Sequence, residues 1–175
     1  NTAPVVLRIP TGGYTRGGAM YHSQSAESIF AKCPGLFIVY PSNASDACGL
    51  LRTALRSEDP VLFMEHKYLY YQAHARAQDP GPDYMIPFGK ATVRRRGSDI
   101  TLVTWGAQVH QSLEAADQME KADGVSVEVI DLRTLVPLDM ETVQESVRRT
   151  GRCIVVHEET RFGGLGGEIA SEVGV

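Results

Sequence analysis

Two stretches decide the fold class: Leu36-Phe37-Ile38-Val39-Tyr40-Pro41-Ser42-Asn43 and, beyond a helical interval, Pro60-Val61-Leu62-Phe63-Met64-Glu65. Leu36–Tyr40 and Val61–Glu65 are short apolar runs rich in β-branched and aromatic residues, which read as buried strands. Between them Ala47, Leu50, Leu51, Ala54 and Leu55 recur at helical spacing, up to about Arg56. Asn43 and Asp46 form a capping pair at the start of that helix. Upstream, Val5–Ile9 is another strand, closed by Pro10, and Thr11–Gly18 is a glycine-rich loop. A helix over Ala26–Lys32 follows, capped by Ser25, with Glu27 in its first turn, and Cys33-Pro34-Gly35 stops it. Strand, loop, helix, strand, helix, strand is the order of parallel strands with crossover helices. The expected class is α/β, a parallel-sheet three-layer αβα architecture.

Downstream the alternation breaks. Gln72–Pro87 holds Pro80, Gly81, Pro82 and Pro87 and has no apolar period. It reads as a connector, residues 72–86, between a first unit at 1–71 and a second at 87–175. The second unit reads as strand Ala91–Arg94, turn Arg96-Gly97-Ser98, strand Ile100–Thr104 and helix Val109–Lys121 with Gly124 at its C′ position. Then come strand Val125–Ile130, a helix capped by Asp139 and ended by Gly151, and strand Cys153–Val156. Gly163–Gly167 precedes a last helix that begins at Glu168.

Composition narrows the function classes. The chain has 175 residues, 43% hydrophobic and 22% charged, near the globular average, which excludes disordered, collagen-like and coiled-coil chains. Its 17 basic and 21 acidic side chains give a net charge of −4, so no global attraction to nucleic acid or an anionic membrane is expected. No apolar run approaches the length of a transmembrane helix. Cys33, Cys48 and Cys153 lack the spacing of a zinc ribbon or a disulfide framework and are expected to be buried free thiols in a reducing compartment. The chain opens on Asn1-Thr2-Ala3-Pro4 without an initiator Met and reads as a piece of a longer polypeptide.

In open α/β sheets, ligands bind at the loops beyond the carboxyl ends of strands. The loop Thr11–Ser25 carries His22; histidine is a residue type suited to proton transfer or hydrogen bonding to a developing oxyanion, and a surface or packing role is the plainer reading from spacing alone. Gly163–Gly167 offers backbone N–H groups before a helix, but it departs from the dinucleotide pattern, and a tight turn allowing close helix–sheet packing is the favoured reading. The turn Leu55–Pro60 follows a helix C-terminus, whose carbonyls and a nearby Asp carboxylate could hold a monovalent cation, but from the residues alone an ordinary solvated turn is the favoured reading. His66, His74, His110 and His157 lack zinc-site spacing. His157-Glu158-Glu159 reads as a polar rim, and Arg94-Arg95-Arg96 as a solvated hairpin edge.

Ordered motifs over nearly the whole chain resemble one family. Tyr21-His22-Ser23-Gln24-Ser25-x-Glu27, Cys33-Pro34-Gly35-Leu36, Pro60–Glu65, Gly97–Val103, Trp105-Gly106-x-Gln108-Val109-His110, Val129–Pro137 and His157-Glu158 with Gly163-Gly164 and Gly167-Glu168-Ile169 resemble the β subunit of thiamine-diphosphate-dependent 2-oxoacid dehydrogenase E1. The branched-chain, 2-oxoisovalerate type is nearest and the pyruvate type is close behind.

That resemblance implies that 1–71 is the second half of a pyrimidine-binding domain and 87–175 a shortened transketolase C-terminal domain. It implies oxidative decarboxylation of a 2-oxoacid on thiamine diphosphate, with acyl transfer to a lipoyl-bearing E2 partner. It makes His22 the catalytic and cofactor-facing residue of this chain. It places a potassium ion at Val6, Ala54, Leu55, Ser57 and Asp59, mostly through backbone carbonyls, with Ser57 where an Asp is common and Asp59 where an Asn is common. It assigns the Mg²⁺ and diphosphate site to an E1 α subunit or fused α-like half, and the glutamate that activates the cofactor ring to sequence upstream of Asn1. It implies a second β chain in the assembly, in the bacterial cytoplasm or the mitochondrial matrix. A transketolase or deoxyxylulose-phosphate synthase relative is the alternative within the superfamily. A non-catalytic interaction module built on 87–175 is the alternative outside it.

Overall fold

Eight strands form two four-stranded sheets in a computed structural model that describes residues 2–174. The first sheet has the order β1-β3-β2-β7 and the second β4-β6-β5-β8. In the first, β1 (Val6–Thr11), β3 (Val61–His66) and β2 (Phe37–Val39) run parallel, as the crossover pattern requires. In the second, β6 (Val127–Asp131), β5 (Ile100–Thr104) and β8 (Cys153–Val156) are parallel. Each sheet also has an antiparallel edge: β7 (Thr134–Val136) on β2 and β4 (Thr92–Arg95) on β6. The sheets are thus mostly parallel, as expected, each with one antiparallel edge strand.

β7 is the element the sequence pattern does not signal. It is three residues long and lies in the second unit's sequence, yet it completes the first unit's sheet. The chain passes from one sheet to the other over a few residues: Leu132 N–H donates to Thr104 O at 3.0 Å, and Tyr40 N–H to Arg133 O at 2.8 Å. A core cluster spans the junction. It joins Ile38, Tyr40, Leu62 and Met64 of the first unit to Val103, Trp105, Ile130, Leu132, Leu135, Val143 and Ile169 of the second.

Helix α2 (Ala44–Ala54) follows its sequence signals. Asn43 Oδ1 accepts from Asp46 N–H at 3.0 Å, while Asn43 Nδ2 donates to the Asp46 carboxylate at 3.1 Å. Its apolar face covers Val39, Val61 and Phe63. The proline-rich connector is not a free tether: Ile86 is buried in that same cluster. Thr53 Oγ1 donates to Ile86 O at 2.7 Å, and Arg52 Nη1 donates to the carbonyls of Gly81 and Tyr84. The segment lacks apolar period because it packs through isolated side chains and exposed backbone carbonyls. Helix α3 (Gln108–Asp123) ends at Gly124 in the left-handed region, φ 68°, and packs over Leu102, Val127 and Val129. Helix α4 (Met140–Thr150) is capped by Asp139, which accepts from Thr142 N–H, and ends at Gly151.

Several boundaries move for physical reasons. β1 continues through Pro10, which a strand at the sheet edge tolerates because a missing N–H on the open side costs no ladder bond. Helix α1 is only Glu27–Ala31, and Ser25 does not cap it: the Ser25 hydroxyl hydrogen-bonds the Tyr40 hydroxyl at 3.2 Å instead. Helix α5 (Leu165–Val173) starts before Glu168 and takes in Gly166 and Gly167. A Cβ on Gly166 would lie 2.6 Å from His157 Nε2, so its bare backbone lets the helix close on that ring. Cys33, just past the end of α1, is exposed, and Cys48 and Cys153 are half-buried, so none is the buried thiol expected; all three are free.

Candidate active site

The carboxyl ends of β1, β3, β5 and β8 meet at one place between the sheets. After β1 come Gly12, Gly13 and Tyr14; β3 ends in His66; after β5 comes Trp105; after β8 come His157, Glu158 and Glu159. Glu158 Oε1 accepts from Gly13 N–H at 2.5 Å and its Oε2 pairs with His66 Nε2 at 2.6 Å. The His66 ring is buried against Gly12, where a Cβ would come within 2.2 Å of Nε2, and Gly12 sits at φ 80°. Only glycine meets both conditions. The same ring stacks on Tyr14 and Tyr40, with centroids 6.1 and 6.3 Å apart. Burial pushes the Glu158 carboxyl up, but the bonds from His66 and Gly13 and the charges of His66 and Lys67 outweigh it and hold it below the usual carboxylate range.

A second carboxylate lies beneath. Glu27, fully buried at the start of α1, accepts from Trp105 Nε1–H at 2.8 Å, while its other oxygen has no partner. Burial raises its pKa, more than the indole bond lowers it, and Glu159 and Glu158 add to the rise. Trp105 stacks face to face on His157, centroids 5.3 Å apart and rings 7° from parallel, and burial lowers the His157 pKa. The Nδ1 atoms of His157 and His66 are buried without a partner.

His22 lies on the loop that leaves this cluster and returns to α1. Its side chain is exposed, and its backbone carbonyl accepts from Lys67 Nζ, next to His66. The loop is closed at its base by Gly12 N–H to Gln24 O at 3.0 Å and by Thr11 Oγ1 to the same carbonyl at 3.1 Å. Tyr14 and Ala19 in this loop have φ of 61° and 44°, a region that costs non-glycine residues energy and that clusters at functional sites.

The residues expected to hold a cation lie at the opposite end of the first sheet. Val6 starts β1, Ala54 ends α2, Leu55 caps it, and Ser57 and Asp59 form the turn into β3. Ala3 N–H donates to Glu58 O at 3.0 Å, which holds the turn against the lead-in to β1. Ser57 Oγ donates to Asp59 O at 3.0 Å and accepts from Asp59 N–H at 3.2 Å, so that side chain is engaged within the turn and the backbone carbonyls are the ligands on offer. Among the described residues no group of three or more His, Cys, Asp or Glu side chains is placed to hold a metal ion.

Sequence spacing singled out His22 but missed its surroundings. His66, Glu158, Glu27 and Trp105 lie far apart in the chain, and only the meeting of two sheets brings them together. His157-Glu158-Glu159, expected as a polar rim, is half-buried and bonded to the first unit, Glu158 to Gly13 and His66 and Glu159 to Ser28. Arg94 is likewise not a solvated edge. Its guanidinium reaches Asp131 at 2.9 Å and also Asp46 and Ser42, since β4 lies antiparallel on β6 and points it at the start of α2. The usable signal was position: each missed residue at the site stands at or next to a strand's carboxyl end or a helix start.

Comparisons with known proteins identify the two halves of the chain. Residues 1–72 match the family described as transketolase, pyrimidine binding domain, and residues 89–175 that described as transketolase, C-terminal domain. The 2-oxoisovalerate dehydrogenase subunit beta of Bacillus subtilis (strain 168) is 49% identical over 97% of this chain and 51% of its own length. The pyruvate dehydrogenase E1 component subunit beta of the same organism is 45% identical over 98% of this chain and 52% of its own. The chain thus spans about half the length of the curated relatives it matches. A solved structure titled split gene transketolase, inactive beta4 tetramer, superimposes with a TM-score of 0.78 at 27% identity, over 99% of this chain and 54% of that one.

Proposed function

The chain belongs to the family of paired transketolase pyrimidine-binding and C-terminal domains that includes E1 β subunits of 2-oxoacid dehydrogenases, and we propose that it forms part of such an E1 component. The reaction is oxidative decarboxylation of 2-oxoisovalerate or pyruvate, with acyl transfer to a lipoyl-bearing E2 partner. Thiamine diphosphate, when bound, supplies the nucleophilic carbon and the electron sink. The observation that carries this reading is His22, an exposed imidazole with no side-chain partner, on the loop beyond β1 and within a chain 49% identical to a branched-chain E1 β subunit.

His22 donates a hydrogen bond to the substrate carboxylate or to the oxygen that gains charge as the carbonyl is attacked. Trp105 and Glu27 are buried beside the cluster at the strand ends, and the half-buried His157 stacks on the indole. Mg²⁺ and the diphosphate are held by an α subunit or α-like half. Val6, Ala54, Leu55, Ser57 and Asp59 would hold a potassium ion at the turn, mostly through backbone carbonyls. Tyr21 and Phe162 are 83% and 97% exposed, and apolar side chains so exposed support contact with the α partner or a second β chain.

The likeness to a solved transketolase favours one second reading, ketol transfer between sugar phosphates. Arg16 and Lys67 are the cations nearest the His22 loop for such a phosphate. The test is an assay of the parent enzyme assembled with its partner, on 2-oxoisovalerate, pyruvate and sugar phosphates, with an artificial electron acceptor. Thiamine-diphosphate-dependent turnover of a 2-oxoacid is expected. Ketol transfer without 2-oxoacid oxidation overturns the proposal.

A further inference from the structure

We infer that Glu158, from the second unit, is a positioning residue for the His22 loop of the first. The inference rests on His22 being the substrate-facing residue, and deepens that reading. Three observations carry it. First, the Glu158 side chain binds both the loop's entry and the strand beside it: Gly13 N–H at 2.5 Å and His66 Nε2 at 2.6 Å. Second, His66 fills the space under Gly12, so the carboxylate fixes the ring and the ring fixes the backbone where the loop departs. Third, the loop holds Tyr14 and Ala19 at positive φ, conformations that persist only when the surroundings impose them. The Tyr14 ring lies on His66, and its hydroxyl accepts from Gln108 Nε2 at 2.9 Å, so α3 of the second unit holds the same residue from the other side.

The loop is otherwise lightly tied. Gln24 O holds its base, and Lys67 Nζ reaches His22 O. If the Glu158 carboxylate is removed, Gly13 N–H and His66 lose their shared acceptor and the loop relaxes from its left-handed turns. A displacement of about 1 Å at a reacting group costs up to about a hundredfold in rate. Glu158 does not touch substrate in this account; it acts through His22.

The experiment compares Glu158→Ala and Glu158→Gln in the assembled parent enzyme by backbone hydrogen exchange and steady-state kinetics. Gln keeps an acceptor for Gly13 N–H and a polar partner for the other His66 tautomer, so it guards against simple misfolding. Glu158→Ala should speed exchange over residues 12–24, leave the β5 and β6 amides unchanged, and lower kcat by roughly ten- to hundredfold with KM within about threefold. Glu158→Gln should restore most of both. Unchanged exchange over 12–24 in Glu158→Ala overturns the inference, as does faster exchange spread evenly through both sheets. Exchange is read without substrate, so a loop released in a protein that turns over no 2-oxoacid refutes the proposed function and leaves the positioning role standing.

Discussion

Two clusters of polar side chains join the first unit to the second, and they are built to different plans. In one, Arg94 lies among acceptors: Asp131 at 2.9 Å, Asp46, and Ser42, whose own hydroxyl donates to Asp131 at 2.6 Å. His110 Nε2 bonds Ser42 O at 2.7 Å, and Arg133 stands 3.7 Å from Asp46. Arg94 and Asp131 sit on strands, and Asp46 sits on the first turn of the well-capped α2. In the other, Glu158 and His66 hold a glycine loop, and Glu27, His66 and His157 each keep a buried atom without a partner. The first cluster is satisfied; the second lies at strand ends, a helix start and the loops beyond them, and leaves three buried atoms without partners. If the second serves chemistry and the first holds the units together, the two should answer differently to mutation.

Breaking the first cluster should have the largest effect. Asp131 is fully buried, and burial pushes its carboxyl up against the pull of Arg94. Arg94→Ala leaves that charge without its cation, which typically costs about 3–5 kcal/mol. Chemical denaturation at neutral pH should register a loss of that order. The loss should shrink toward acid pH, where Asp131 takes up a proton. A loss below about 1 kcal/mol would erase the distinction drawn here, since it is the size expected of an exposed ion pair.

The His22 loop should behave in the opposite way. His22→Ala in the assembled parent removes one preorganised donor, which typically lowers turnover about 10²–10³-fold. Stability should change by no more than about 0.5 kcal/mol, because an exposed loop side chain supports little packing. Kinetics and melting on the same preparation check both halves. Near-normal turnover, or activity lost only through unfolding, would break the assignment of chemistry to the second cluster.

Glu27 sharpens the contrast with a smaller effect that depends on pH. Its folded pKa lies above the ordinary 4.5, first because of burial, so the folded state binds more protons than the unfolded one across that window. Stability from the neutral carboxyl is present below about 4.5 and is lost as pH rises through the folded value. Glu27→Gln cannot ionise. Its stability relative to the native chain should therefore climb as pH is raised from 4 to 8, whatever offset the buried amide adds. A flat difference across that range would mean that Glu27 is charged in the fold and shielded by more than the indole of Trp105.

What the sequence made legible follows the same division. The α2 start was readable because Asn43 and Asp46 are local signals, and the helix ends at Gly124 and Gly151 were readable because a left-handed residue must be small. Sheet-forming runs were readable from β3 and β5, whose apolar residues are contiguous. β7 was not, because three residues completing a sheet across a domain junction have no period. Arg94 looked like a surface charge run, since its two carboxylate partners lie 37 and 48 positions away. Glu27 looked like a first-turn acid at a helix start, yet the tertiary partner Trp105 buries it. His22 stood out from its glycines and its resemblance, and the residues that place it are assembled only by the fold.

The turn that closes α2 gives the smallest expected effect and lies outside both clusters, at the amino end of β3. If potassium binds carbonyls of Val6, Ala54, Leu55, Ser57 and Asp59, it binds the folded state alone and raises stability by RT ln(1 + [K⁺]/Kd), about 1.4 kcal/mol at tenfold excess over Kd. Asp59 adds a side-chain oxygen, while the Ser57 hydroxyl is already turned onto Asp59. Ser57→Ala should therefore leave the potassium effect nearly intact, and Asp59→Ala should weaken it. The measurement is the melting temperature of the parent in KCl against an equal ionic strength of a bulky organic cation. A rise specific to potassium, with His22-dependent turnover unchanged per folded molecule, assigns this turn to stability and leaves chemistry at the carboxyl ends. Equal melting curves in the two salts would remove the ion from the turn.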